Sequence, residues 1–159
     1  MLTETLIAAT KAGAAELQRY FNGAFEISHK EGVNNLVTEA DHAAERAIIG
    51  VIQAAFPDHF ILSEETGEII TSSEYKWIID PIDGTRAFIA GTTTWGVLIG
   101  ARFDDKPLVG IMDQPFADER WAANPDRGFW SRGRARQPLV TRKNVALDQA
   151  LLATTDPFL

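Results

Sequence analysis

The sequence predicts an α+β fold, with two N-terminal helices packed on a mainly antiparallel sheet. Three observations predict it. Apolar residues recur at helical spacing in two stretches ahead of Pro57. From residue 60 onward the pattern changes to short β-branched and aromatic runs divided by turn residues. Helices followed by strands, rather than alternating with them, argue for a segregated α+β layering.

The first helix is expected over residues 3–21, where Leu2, Leu6, Ala9, Gly13, Leu17 and Tyr20/Phe21 form one stripe and Gly23 is the stop. The second is expected over 39–56, with Ala44, Ala47/Ile48, Val51/Ile52 and Ala55 inward and Pro57 ending it. The polar run Ser28–Asn35 between them reads as a loop. Strands are expected at 60–63, 76–80, 95–103, 108–113, 119–123 and 128–131, with Asp104-Asp105-Lys106-Pro107 as a hairpin turn. Asp148 to Ala153 is read as the start of a further helix or strand.

Composition bounds the function. The chain of 159 residues has a formal net charge of −7 and contains no cysteine. Disulfides and thiolate metal sites are therefore excluded. The acidic balance disfavours nucleic acid and anionic membrane as partners and suits cation binding. No signal segment and no run of bilayer-spanning length is apparent, so a cytoplasmic protein is the expectation.

The chemistry concentrates in Asp80-Pro81-Ile82-Asp83-Gly84-Thr85, two carboxylates three positions apart running into a glycine and a hydroxyl. Tyr75–Ile79 reads as a buried strand that delivers them to its carboxyl end, where open α/β sheets hold ligands. Phe60-Ile61-Leu62 is a second short strand, followed by Ser63-Glu64-Glu65-Thr66-Gly67. Two strands ending in paired acids are costly unless a cation neutralises them. Carboxylates and a backbone carbonyl are ligands for hard cations such as magnesium. If a helix begins near Thr85, the amides of Gly84 and Thr85 can face an anion. The hexapeptide alone is equally an ordinary Asp-capped, Gly-containing turn.

E-E-T-G, W-I-I-D-P-I-D-G-T and Asn35-Leu36-Val37-Thr38-Glu39-Ala40-Asp41 resemble three signature segments of the inositol monophosphatase family, magnesium-dependent and lithium-sensitive phosphomonoesterases. The continuation Arg86-Ala87-Phe88-Ile89-Ala90-Gly91 and Thr94-Trp95-Gly96-Val97-Leu98-Ile99 most resembles the histidinol-phosphate phosphatase branch, and with it histidine biosynthesis. The resemblance implies that residues 1–159 are the N-terminal half of a layered αβαβα fold. The C-terminal α/β half, with a W-D-x-A-A-type segment that supplies a further metal ligand, would be absent. It implies two or three Mg²⁺ ions, with Glu64, Asp80 and the Ile82 carbonyl on the first and Asp80 and Asp83 sharing the second. Glu64, Ile82, Asp83, Gly84 and Thr85 would contact substrate. Thr85 would orient a water and Glu65 take its proton. For Thr85 a helix N-cap is the equal alternative, and for Glu65 a solvated acid. A small phosphomonoester substrate and a homodimer are implied as well.

Other residues read more plainly. Lys30 is taken as an exposed loop lysine, and Asp41 as half of a helix-start capping pattern, although both fall where the family has site residues. Arg86 is read as packing or pairing locally. His29, His42 and His59 show no ligand spacing, and Trp77, Trp95, Trp121 and Trp130 are read as core. Ser63, Asn35 and Thr93 depart from the family's usual glycine, aspartate and proline. Two alternatives stand beside the histidinol-phosphate reading: an inositol 1-phosphate or broad sugar phosphate phosphatase, and a non-catalytic metal-binding or dimerisation module. A half-length chain is expected to be weakly active or inactive by itself.

Overall fold

The computed structural model describes residues 1–29, 36–143 and 146–151. Lys30, Asn34 and Asn35 lie outside the described residues, as do Leu152 and Ala153. Helix α1 spans Leu2–Tyr20 and α2 spans Glu39–Ala55, within a residue or two of expectation. Strands β1 (Ile27–His29) and β2 (Leu36–Thr38) form a small antiparallel pair between them. The remaining strands are β3 (Phe60–Ser63), β4 (Gly67–Ile69), β5 (Tyr75–Asp83), β6 (Gly96–Phe103), β7 (Lys106–Gln114), β8 (Glu119–Ala123), β9 (Gly128–Arg132) and β10 (Ala135–Pro138). They build one eight-stranded sheet in the order β10-β9-β8-β7-β6-β5-β3-β4. Every pairing is antiparallel except β3 with β5. A five-residue helix, α3 (Thr85–Ile89), follows β5, and Leu147–Gln149 is a single 3-10 turn.

Both long helices lie on one sheet face. Leu6, Ala9 and Leu17 of α1 and Ala44, Ile48 and Ile52 of α2 are buried with Trp77, Ile79, Val97, Ile99 and Ile111 of the strands. Gly13 sets the closeness of α1 and α2: a Cβ there would lie 2.7 Å from Ile48 Cδ1. The start of α2 is fixed by a reciprocal cap. Thr38 Oγ1 accepts from the Ala40 and Asp41 amides, and the Asp41 carboxylate accepts from the Thr38 amide at 2.8 Å. The capping reading of Asp41 therefore holds.

The other face carries Leu62, Ile78 and Met112 in the open, and an apolar cavity of about 510 Å³ beside Ile78, Leu108 and Pro125. Trp77 and Trp95 are core, but Trp121 and Trp130 pair across β8 and β9 on this helix-free side and are only half-buried. Alternation along β7 and β8 sends one set of side chains inward and leaves these rings outward. No helix among the described residues is long and apolar enough to cross a membrane.

Two expectations change. Ser28 and His29 belong to β1 rather than to a loop. Asp80-Pro81-Ile82-Asp83 is the end of β5 rather than a turn. Pairing with β6 holds that segment extended, and the proline sits where the ladder is interrupted.

His59 has a structural role. It stacks between Phe56 and Tyr75, with centroids at 4.4 and 4.7 Å, and its Nδ1 accepts from Trp77 Nε1 at 3.0 Å. Burial lowers its pKa below 6.5, against the opposing charge of Asp58. A folded pKa below the unfolded one means that stability present above pH 6.5 is lost as pH falls. His59→Phe, which keeps the stack but leaves the indole N–H unpaired, is expected to cost ~1–2 kcal/mol at pH 8. The gap from the native protein should narrow at pH 5; denaturant titrations at the two pH values measure it.

Candidate functional site

The site grows from one parallel pairing. Strands β3 and β5 run side by side with Ser63 opposite Ile79, and the Glu64 amide donates to the Ile79 carbonyl at 3.1 Å. Glu64 and Asp80 are therefore neighbours at the carboxyl ends of adjacent strands, as open sheets place their ligands.

A bulge brings in the second aspartate. On a regular strand, residues three apart point to opposite faces. Here Asp80 pairs with Leu98 and Asp83 with Gly96, so three steps along β5 match two along β6. The extra residue turns Asp83 to the same face as Asp80. Beyond Asp83, Gly84 adopts φ 94° and ψ 38° and leads into α3. That short helix is pinned by Phe88, which is buried against Phe21, Phe25 and Trp95 at centroid distances of 5.4, 5.5 and 5.0 Å.

The charges of the three acids interact. The carboxyl of Asp80 is pushed up to about 7 by burial, by the charge and hydrogen bonding of Glu64, and by the charge of Asp83, with the Ile82 amide acting oppositely. Its buried Oδ1 has no partner among the described residues. An all-oxygen donor set of this kind matches a hard cation in chemistry. The acids are not drawn into a closed cage, however. Among the described residues no three His, Cys, Asp or Glu side chains are gathered into a metal-holding group. Convergence of Glu64, Asp80 and Asp83 was expected; Glu64 lies close enough to Asp80 to hydrogen-bond with it and Asp83 close enough to repel its charge, while Glu64 and Asp83 are themselves exposed.

Thr85 is the first residue of α3 and not its cap; Gly84 occupies the cap position. The Thr85 hydroxyl donates to the Ile82 carbonyl at 3.1 Å. Its proton is thus committed, and its oxygen lone pairs remain for accepting. The Ile82 side chain is buried, and its carbonyl is already an acceptor. Glu65 is half-buried, and it and Arg86 both have partners of their own. Ser63 fits within β3 without disturbing its pairing.

Sequence reasoning missed Glu45. It lies on the buried face of α2, 1% exposed, and its Oε1 accepts from the amides of Glu65 at 3.2 Å and Thr66 at 2.9 Å. Its Oε2 accepts from the Thr66 hydroxyl. The available signal was a carboxylate interrupting the apolar stripe between Ala44 and Ile48.

A model of the inositol monophosphatase family matches residues 1–158. The chain is 40% identical to Nus factor SuhB of Haemophilus influenzae over 159 residues, covering 99% of this chain and 58% of that one. It is 37% identical to the bifunctional phosphatase IMPL2, chloroplastic, of Arabidopsis thaliana over 154 residues, covering 96% and 43%. The crystal structure of the extragenic suppressor protein suhB from Bartonella henselae superposes with a TM-score of 0.79 at 28% identity, covering 82% of this chain and 52% of that one. The chain spans about half the length of the curated relatives it matches. Their names give no support to the histidinol-phosphate branch, so the assignment stops one level higher. On a family match that runs nearly end to end, this chain belongs to the inositol monophosphatase family.

Proposed function

We propose that the protein carrying this chain hydrolyses small phosphomonoesters of the inositol phosphate and sugar phosphate class. The observation that carries this reading is the pairing of β3 with β5, which sets Glu64 beside Asp80, with the bulge turning Asp83 to the same side. Glu64, Asp80, the Ile82 carbonyl and Asp83 would hold Mg²⁺. When bound, that ion supplies charge neutralisation for the phosphate and a lowered pKa for a water.

The chain's own residues supply the rest. Thr85 Oγ1, whose hydrogen is donated in a hydrogen bond to the Ile82 carbonyl, accepts a hydrogen bond from the attacking water and orients it. Glu65 receives the proton as general base. The amides of Gly84 and Thr85, at the start of α3, face the phosphate oxygens. Metal and proton compete at Asp80, so magnesium affinity should rise with pH up to about 7.

Phosphate release from inositol 1-phosphate, a hexose phosphate and histidinol phosphate tests the proposal. Magnesium-dependent turnover of the first two is expected. Turnover confined to histidinol phosphate would move the substrate to the branch suggested by Arg86–Gly91 and Thr94–Ile99. Magnesium binding without release from any of the three would favour a non-catalytic module.

A further inference from the structure

We propose that Glu45 is a positioning residue for the metal site: its buried carboxylate, reaching from α2, clamps the segment that presents Glu64 and Glu65. The inference rests on the phosphatase reading above, but its geometry stands independently. One carboxylate takes three hydrogen bonds from two consecutive residues, Glu65 and Thr66, immediately after Glu64. Glu64 itself is held by its amide to Ile79 on the other side. The segment is therefore tied at both ends, to β5 and to α2.

Helix α2 is a rigid support for this purpose. Its first turn is locked by the Thr38–Asp41 reciprocal cap, and its Ala44, Ile48 and Ile52 are buried in the core. A side chain at 1% exposure on such a helix has little freedom to follow a moving loop. Burying a carboxylate is costly unless its oxygens are satisfied, and here two backbone amides and a hydroxyl satisfy them. A clamp of this kind determines where Glu64 stands before any cation arrives, and supporting groups behind metal ligands commonly change affinity about 10–100-fold.

The test compares Glu45→Ala, Glu45→Gln and Thr66→Val in the protein. Magnesium affinity is measured by calorimetry on folded samples, and amide hydrogen exchange is followed at Glu65 and Thr66. Glu45→Ala is expected to lose ~10-fold or more in magnesium affinity and the protection of both amides. Glu45→Gln offers an oxygen to the amides and an N–H to the Thr66 hydroxyl, so it should retain protection and most of the affinity. Thr66→Val, which removes only the hydroxyl arm, should fall between and keeps the question open to test if Glu45→Ala does not fold. Wild-type affinity and protection in Glu45→Ala or in Thr66→Val would overturn the proposal. Failure of the unmodified protein to bind magnesium would sink the phosphatase reading instead. Protection lost in Glu45→Ala and kept in Glu45→Gln would still uphold the clamp.

Discussion

Asp80→Asn is expected to lower magnesium-dependent phosphate release by about 10²–10³-fold or more, while making the metal-free protein more stable at alkaline pH. The two effects have opposite signs because Asp80 is held against repulsion. Its carboxyl is raised from 3.8 to about 7, first by burial and then by Glu64 and Asp83. A folded pKa above the unfolded one means that its stabilising contribution is full below 3.8 and is lost as pH rises through about 7. Asparagine carries no charge to lose, so at pH 8 it relieves the fold by ~1–3 kcal/mol. That figure is discounted because Glu64 and Asp83 are solvent-screened. At pH 4 the gain should vanish. Thermal unfolding at pH 4 and pH 8, with and without magnesium, measures all of this, and added magnesium should stabilise only the native aspartate. Equal stability at pH 8 together with undiminished activity would contradict the site.

Gly84→Ala is expected to destabilise the protein by ~2–4 kcal/mol, the sum of a left-handed backbone and an overlap with main chain. The φ of 94° at Gly84 is one that an L side chain rarely adopts. A Cβ would also stand 2.8 Å from the Thr94 carbonyl oxygen and 3.3 Å from Trp95 Cα, neither of which can swing aside. Because Gly84 joins Asp83 to Thr85, any relaxation moves both, and activity should fall together with stability. A denaturant midpoint within about 0.5 kcal/mol of the native protein would show that the turn has room.

How far the sequence led depended on whether a segment's partners were close in the chain. Helices α1 and α2 were legible because Leu6, Leu17, Ile48 and Ile52 repeat with the helical period. Strands β5 to β9 were legible from their apolar content. Strands β1, β4 and β10 were not: β10 reads Ala-Arg-Gln-Pro and is exposed throughout, so it carries no alternation to detect. Edge strands are commonly written this way to discourage further pairing. The D-P-I-D segment suggested a turn by local preference, and pairing with β6 overrode it. The acids of the site could be named, but neither the bulge that turns Asp83 toward Asp80 nor the Glu45 clamp could be derived. Those depend on pairing with β6 and on a helix about twenty residues upstream.

The bulge in β5 makes the distance between the two aspartates a matter of odd and even. Removing a single residue between Asp80 and Asp83 would restore a smooth ladder, yet it would also exchange the bulge for regular pairing, leaving a two-step spacing that keeps both acids together. Adding a single residue, by contrast, would demand a second irregularity, or a regular four-step spacing that carries Asp83 past Gly96, the first residue of β6. Length variants of this segment should therefore be tolerated asymmetrically, shortening better than lengthening, with the proline as the residue whose loss the ladder would most readily absorb.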